Sequence, residues 1–72
     1  MLPKYKPQQW VIFTVNSMRY LGQITNAAYG EFNGRTEWRY SVTMPSGNTQ
    51  SAAEGDITHY FDGNSYVDVN NR

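Results

Sequence analysis

One histidine, His59, and six carboxylates are the groups in this 72-residue chain best suited to move a proton or hold a metal, and cysteine is absent. A single histidine excludes a three-histidine zinc site, and the lack of cysteine excludes disulfides, thiolate ligation and a cysteine nucleophile. Glu54 and Asp56, in EGD, read as carboxylates that stabilise and solvate a turn rather than as an acid–base pair. Asp62, Asn64, Tyr66 and Asp68 alternate through DGNSYVD as calcium ligands do, but the glycine and closing glutamate of such a loop are missing. No glycine-rich loop opens a helix that would cradle a phosphate. His59, beside Tyr60, reads as a strand residue. The expectation is therefore a protein without catalytic, cofactor-binding or metal-ligating residues, and not an enzyme.

What exceeds the ordinary is aromatic content. Two Trp, six Tyr and three Phe are more than so small a core buries with every polar tip satisfied. Trp38 and Tyr40 are assigned to the core. Trp10, Tyr60, Phe61 and Tyr66 are left for a surface patch near the first and last strands, with Arg19 and Arg39 as its cations. Rigid amphipathic aromatics of this kind are enriched where proteins bind proteins. The expected function is a small interaction module: an accessory or regulatory subunit, or an inhibitor, engaging a larger protein through aromatics and a strand edge. A homo-oligomer is a further expectation, because WVIFTV is apolar on both faces and TQSAA offers an edge of small residues.

The alternative is a nucleic-acid-binding barrel, with aromatics stacking on bases and Lys4, Lys6, Arg19, Arg35 and Arg39 on phosphates. Charge weighs against it. The formal net charge is zero, whereas a dedicated nucleic-acid binder is normally basic. The distribution is uneven: Lys4, Lys6 and Arg19 face no acid within the first thirty residues, while Glu54, Asp56, Asp62 and Asp68 dominate the C-terminal third. If the first and last strands are neighbours, the two ends attract each other. No apolar run reaches the length of a signal sequence or a membrane span, so the chain is expected to be soluble and cytoplasmic.

The elements that must position these residues are strands. Residues 1–9, with Pro3 and Pro7, read as an extended arm. WVIFTV, Trp10 to Val15, is a first strand, Asn16-Ser17-Met18 a short turn, and Arg19 to Tyr29 a long second strand. Gly22 in its middle predicts a bulge or sharp bend where the sheet curls over itself. Asn33-Gly34 signals the next turn. In the third strand Trp38, Tyr40, Val42 and Met44 alternate with Glu37, Arg39, Ser41 and Thr43, so the first set points to the core. Pro45 to Asn48 closes a hairpin onto Thr49–Ala53, with Gly47 or Asn48 taking the positive φ. One 3₁₀ turn then leads into Thr58 to Phe61. Residues 62–72 form a tail in which Tyr66, Val67 and Val69 can dock back and whose last residues fray. The predicted core is Val11, Phe13, Ile24, Trp38, Tyr40, Val42 and Ile57.

Five antiparallel strands, a glycine-bent second strand and a single turn before the last strand resemble the SH3-like small barrels, the group that includes Tudor and KOW modules. WVIFTV, YLGQI, WRYSVTMPSG and EGDITHYF carry the resemblance, which implies one all-β barrel over residues 10–61. The acidic, tyrosine-rich loop and paired tryptophans of peptide-binding SH3 domains are missing, so proline-rich ligands are not implied. YLGQITNAAY is also similar to the second strand of the type II dihydrofolate reductases. Their active-site Gln-Ile-Tyr run is replaced here by THYF, which argues against that activity.

Overall fold

The computed structural model describes residues 2–70; of the end expected to fray, Asn70 to Arg72, only Asn70 lies within them, its N–H donating to Asp68 Oδ1 at 2.9 Å. The chain forms one antiparallel sheet of six strands: β1 (Trp10–Val15), β2 (Met18–Phe32), β3 (Arg35–Thr43), β4 (Thr49–Ala53), β5 (Ile57–Phe61) and β6 (Tyr66–Asp68). A single 3₁₀ turn, Glu54–Asp56, separates β4 from β5. The strand order is β4-β3-β2-β1-β5-β6. The fold is thus all-β, but the expected closed barrel of five strands is corrected to an open sheet of six, with β4 and β6 at its margins.

The sixth strand comes from the segment read as a tail. Asp62 makes it possible: its Oδ1 accepts the N–H groups of Asn64 and Ser65, both at 2.8 Å, and its own N–H donates to Ser65 O at 3.1 Å. The side chain supplies the acceptor that this tight return needs. β6 then pairs with β5, Phe61 opposite Tyr66 and His59 opposite Asp68.

β2 is the element around which the sheet folds. Its first part pairs with β1 as far as Gln23 opposite Trp10, and from Gln23 onward it pairs with β3. A bulge at Thr25 shifts that second ladder between Ile24 and Asn26. At the crossing stands Gly22, where a Cβ would lie 2.5 Å from Val42 Cγ1 and 3.0 Å from Thr43 O. Only glycine lets β3 approach so closely. Gly22 thus marks a close approach of β3, and the bulge expected there falls three residues later, at Thr25.

The two parts of the sheet enclose one core: Val11 and Phe13 from β1, Ile24 from β2, Tyr40 and Val42 from β3, Ala52 from β4, Ile57 from β5, and Tyr5 from the arm. Burying an aliphatic or aromatic side chain of this size contributes about 1.5–3 kcal/mol, so these residues set the stability of the domain. Trp38 departs from expectation. It points to the core side but is half-buried, because it lies on β3 beyond the region that β1 covers, against Tyr29 with ring centroids 5.2 Å apart.

A core residue outside the predicted set is Tyr5, from the arm. Its ring meets Tyr40 edge-on at 5.6 Å and Tyr60 at 6.2 Å. The arm is therefore part of the fold. It turns at Pro7–Gln8, with Gln9 N–H donating to Lys6 O at 3.2 Å, and continues the β1–β2 ladder through Gln8 N–H to Ile24 O and Ile24 N–H to Gln9 O. The Tyr40 hydroxyl fixes its other end, accepting from Lys4 N–H at 3.1 Å and Tyr5 N–H at 3.3 Å while donating to Glu54 Oε2 at 2.6 Å.

Candidate functional site

β1 is apolar at both parities, and the sheet shows where the second set goes. Val11, Phe13 and Val15 face the core; Trp10, Ile12 and Thr14 face away. Register then assembles the outer face row by row. Leu21, Ile12, His59 and Asp68 lie side by side across β2, β1, β5 and β6. In the next row Gln23 neighbours Trp10 and Phe61 neighbours Tyr66. Arg19 stands opposite Thr14 at one corner. Leu21 and Tyr66 are each 40% exposed, with Trp10, Ile12 and Phe61 half-buried between them. Phe61 and Tyr66 touch ring to ring at 5.1 Å. A contiguous apolar face of this kind is uncommon on a small domain, which normally alternates apolar-in with polar-out.

The face has few polar groups: His59 stands in its middle row on β5, and Arg19, Gln23 and Asp68 lie on its outer strands β2 and β6. The Thr58 hydroxyl donates to Ile12 O at 3.2 Å and so accepts from His59 Nδ1 at 2.9 Å. That leaves Nε2 turned toward Asp68, 3.9 Å from Oδ2. Asp68 Oδ1 accepts Asn70 N–H at 2.9 Å. Arg19 makes no ion pair among the described residues.

Of the residues expected to bind a partner, the structure brings Trp10, Phe61, Tyr66 and Arg19 to this one face. Tyr60 is a correction. It lies opposite Val11 on the core side, against Tyr5. A bulge in β5 explains it: Phe13 pairs with Ile57 but Ile12 pairs with His59, so Thr58 is an extra residue that reverses the alternation. Arg39 is the second correction. It stands on β3, its guanidinium 2.8 Å from Glu37 Oε2 and 5.4 Å from the centre of the Phe32 ring, remote from Trp10 in the sheet. Ile12 and Leu21 join the face beyond the residues expected there, and the two-faced pattern of WVIFTV is the signal that points to Ile12.

The cations proposed for phosphate contacts do not share one surface. Arg35 and Arg39 both turn to Glu37, at 3.9 and 2.8 Å. Lys4 and Lys6 are on the arm, where they line a shallow hollow with Phe61 and Asp62, and Arg19 is at the far corner of the outer face. The expected attraction between the chain ends takes the form of a backbone contact, Lys4 N–H to Glu54 Oε2 at 3.3 Å, rather than a side-chain ion pair among the described residues. Glu54 thus serves the arm. Asp62 serves its turn, and the two N–H groups it accepts hold its carboxyl below the usual range.

Among the described residues no three His, Asp or Glu side chains converge as a metal site would require. No described helix is long and apolar enough to cross a membrane. No known family, curated protein or solved structure matches the chain.

Proposed function

We propose that this protein is a binding module that acts through its outer sheet face, and that it is an interaction protein rather than an enzyme. One observation carries the reading: Trp10, Ile12, Leu21, Phe61 and Tyr66 share one face of four neighbouring strands, on which His59 is the polar group of the middle row. Flat, rigid, partly buried aromatics lose little conformational freedom on binding and displace ordered water over a large area. The ligand best suited to such a surface is another protein. The β4 edge, which is free of charge and of proline, is a second place where a partner strand could add. On this reading the curled sheet is an SH3-like module: the order of its first five strands and the 3₁₀ turn before β5 support that relation, and β6 is an addition at the margin.

The test is site-specific photo-crosslinking in the host, with the crosslinker at position 21 or 66 on the outer face and at position 29 or 51 elsewhere. The expected result is a discrete protein adduct from positions 21 and 66 only, identified by mass spectrometry. Adducts equally from all four positions, or from none, would defeat the proposal. The nucleic-acid alternative is checked by fluorescence anisotropy with single-stranded RNA and DNA at low and moderate salt. Micromolar binding that falls steeply with salt would replace the protein-partner reading.

A further inference from the structure

We infer that His59 and Asp68 form a proton-operated catch between β5 and β6, closed when the imidazole is protonated and open when it is neutral. The catch is built into the fold and does not depend on the reading of the outer face as a binding surface. Register sets the two residues opposite each other, and neighbouring groups aim both side chains. The Thr58 hydroxyl, which donates to Ile12 O, accepts the Nδ1–H of His59 at 2.9 Å and so leaves the Nε2 lone pair as the free edge of the neutral ring. Asn70 N–H donates to Asp68 Oδ1 at 2.9 Å, which leaves Oδ2 for the ring. Nε2 and Oδ2 stand 3.9 Å apart.

Chemistry decides what this gap does. A bare ring nitrogen and a carboxylate oxygen are both acceptors, so the neutral ring faces β6 lone pair to lone pair and holds nothing. A proton from water on Nε2 makes that edge a donor and the ring a cation, and a small side-chain rotation then closes the gap to a charge-assisted hydrogen bond. Imidazole is the side chain whose charge changes between pH 5 and 8, and the catch operates there. The other charged or titratable groups that register places on this face are Arg19, one row away on β2, and Tyr66, one row away on β6. In its own row His59 is flanked by Ile12 and Asp68 alone.

β6 is the element on which so small an interaction counts. It has three residues, stands at the margin of the sheet, and is further held by Val69 N–H to Thr58 O at 2.9 Å and by the Phe61–Tyr66 contact. A short marginal strand opens locally at low cost, before the domain unfolds. The catch favours docking only when protonated, so its contribution is complete at the acid end of the imidazole range and is lost as pH rises through it. Because β6 carries Tyr66, the same proton firms one margin of the outer face.

The experiment is NMR of the full chain as wild type, His59→Gln and Asp68→Asn. At about pH 8 the imidazole nitrogen shifts of the wild type are expected to report a proton on Nδ1 and none on Nε2. Protection of the Val69 amide against hydrogen exchange, corrected for the intrinsic rate, is expected to rise about two- to fivefold from about pH 7.5 to about pH 5.5, the scale of an exposed ion pair. The Ile24 amide, bonded to Gln9 O away from β6, is the reference and is expected to stay level. In both variants the rise at Val69 is expected to vanish. Asp68→Asn keeps an oxygen for Asn70 N–H and removes only the charge. A neutral ring with its proton on Nε2, or wild-type protection that does not change with pH, would overturn the proposal. So would a rise that persists in Asp68→Asn, or one shared equally by Ile24, which would belong to the whole domain rather than to β6. If a variant frees β6 altogether, the wild-type tautomer and pH dependence decide.

Discussion

The outer side of the sheet has two parts that share one ladder and are filled in opposite ways. On β1, β5, β6 and the start of β2 it carries Trp10, Ile12, Leu21, Phe61 and Tyr66; on β3, β4 and the rest of β2 it carries Thr43, Ser41, Arg39, Glu37, Ser51 and Asn26. The polar part satisfies itself. Arg39 pairs with Glu37 and lies over Phe32, Thr25 Oγ1 donates to Ser41 O at 3.2 Å, and Thr43 and Thr49 share a hydroxyl contact at 3.5 Å. The apolar part closes on fewer polar contacts, Thr58 with Ile12 O and His59, and leaves Leu21 and Tyr66 each 40% exposed. On the proposed reading one sheet keeps its stability and its recognition in different places, the core side holding the fold and this half of the other side serving a partner.

The largest expected effect comes from disturbing the crossing that both parts share. Gly22→Ala places a methyl group 2.5 Å from Val42 Cγ1 and 3.0 Å from the Thr43 carbonyl, and the buried Val42 has nowhere to move. A loss of about 1–3 kcal/mol is expected, a large share of the stability of a domain this small. Urea denaturation of the variant checks it; an unchanged midpoint would mean that β3 does not press on β2 there, and that the two parts are less firmly joined than described.

Next comes the clamp that ties the arm across the core. Tyr40→Phe leaves the Lys4 and Tyr5 N–H groups and the Glu54 carboxylate without the hydroxyl they share. A cost of about 1–3 kcal/mol at neutral pH is expected, the scale of stranding buried polar groups. The clamp also carries a pH signature. Burial, reinforced by the hydrogen bond to Glu54, pushes the Tyr40 phenol well above the ordinary tyrosine value of 10.0. In the unfolded chain the phenol ionises at the ordinary value while the folded state holds it neutral. Stability from this group is therefore complete below about pH 10 and declines as pH rises beyond it. Denaturation midpoints measured from pH 8 to 11 are expected to fall more steeply for wild type than for Tyr40→Phe; parallel curves would show that the phenol is not held neutral by the fold.

The sequence reveals the polar part better than the apolar part, and the reasons are physical. β3 is legible because a half-buried strand with a self-satisfied polar face alternates strictly, and β4 because proline and glycine bound it. Residues Trp10, Phe61 and Tyr66 of the candidate site are legible as an excess of aromatics, and Arg19 as a cation without a nearby acid in sequence. Tyr60 is not, because a single extra residue, Thr58, reverses which side every later side chain takes, and nothing in ITHYF announces a bulge. β6 is hidden because it depends on one side chain, Asp62, closing a turn. Tyr5 is hidden because prolines on either side make the segment read only as an extended arm, although their fixed geometry is what lets it dock at small entropic cost.

A smaller effect compares the hairpin of each part. Both β1–β2 and β2–β3 turn through two residues of positive φ, Asn16 and Ser17 at 51° and 66°, and Asn33 and Gly34 at 52° and 81°. Such a turn favours glycine at its second position, and only the second hairpin has it. Ser17→Gly is expected to stabilise by about 0.4–1 kcal/mol and Gly34→Ser to destabilise by a similar amount. Thermal unfolding of the two variants checks the pair; equal shifts of the same sign would mean that the turns are not equivalent.

The smallest effect bears most directly on the division of the outer side. Leu21→Thr keeps a residue that favours strands but removes apolar surface from a position that is 40% exposed and away from the core. If the outer face serves a partner rather than the fold, the stability of the dilute monomer changes by no more than about 0.5 kcal/mol. Val42→Ala, on the other side of the same sheet, is expected to cost about 1–3 kcal/mol under identical conditions. A Leu21→Thr loss as large as that of Val42→Ala would place Leu21 among the residues that hold the domain together, and the distinction between a structural and a recognition half of this sheet would fail at the residue on which it is most exposed.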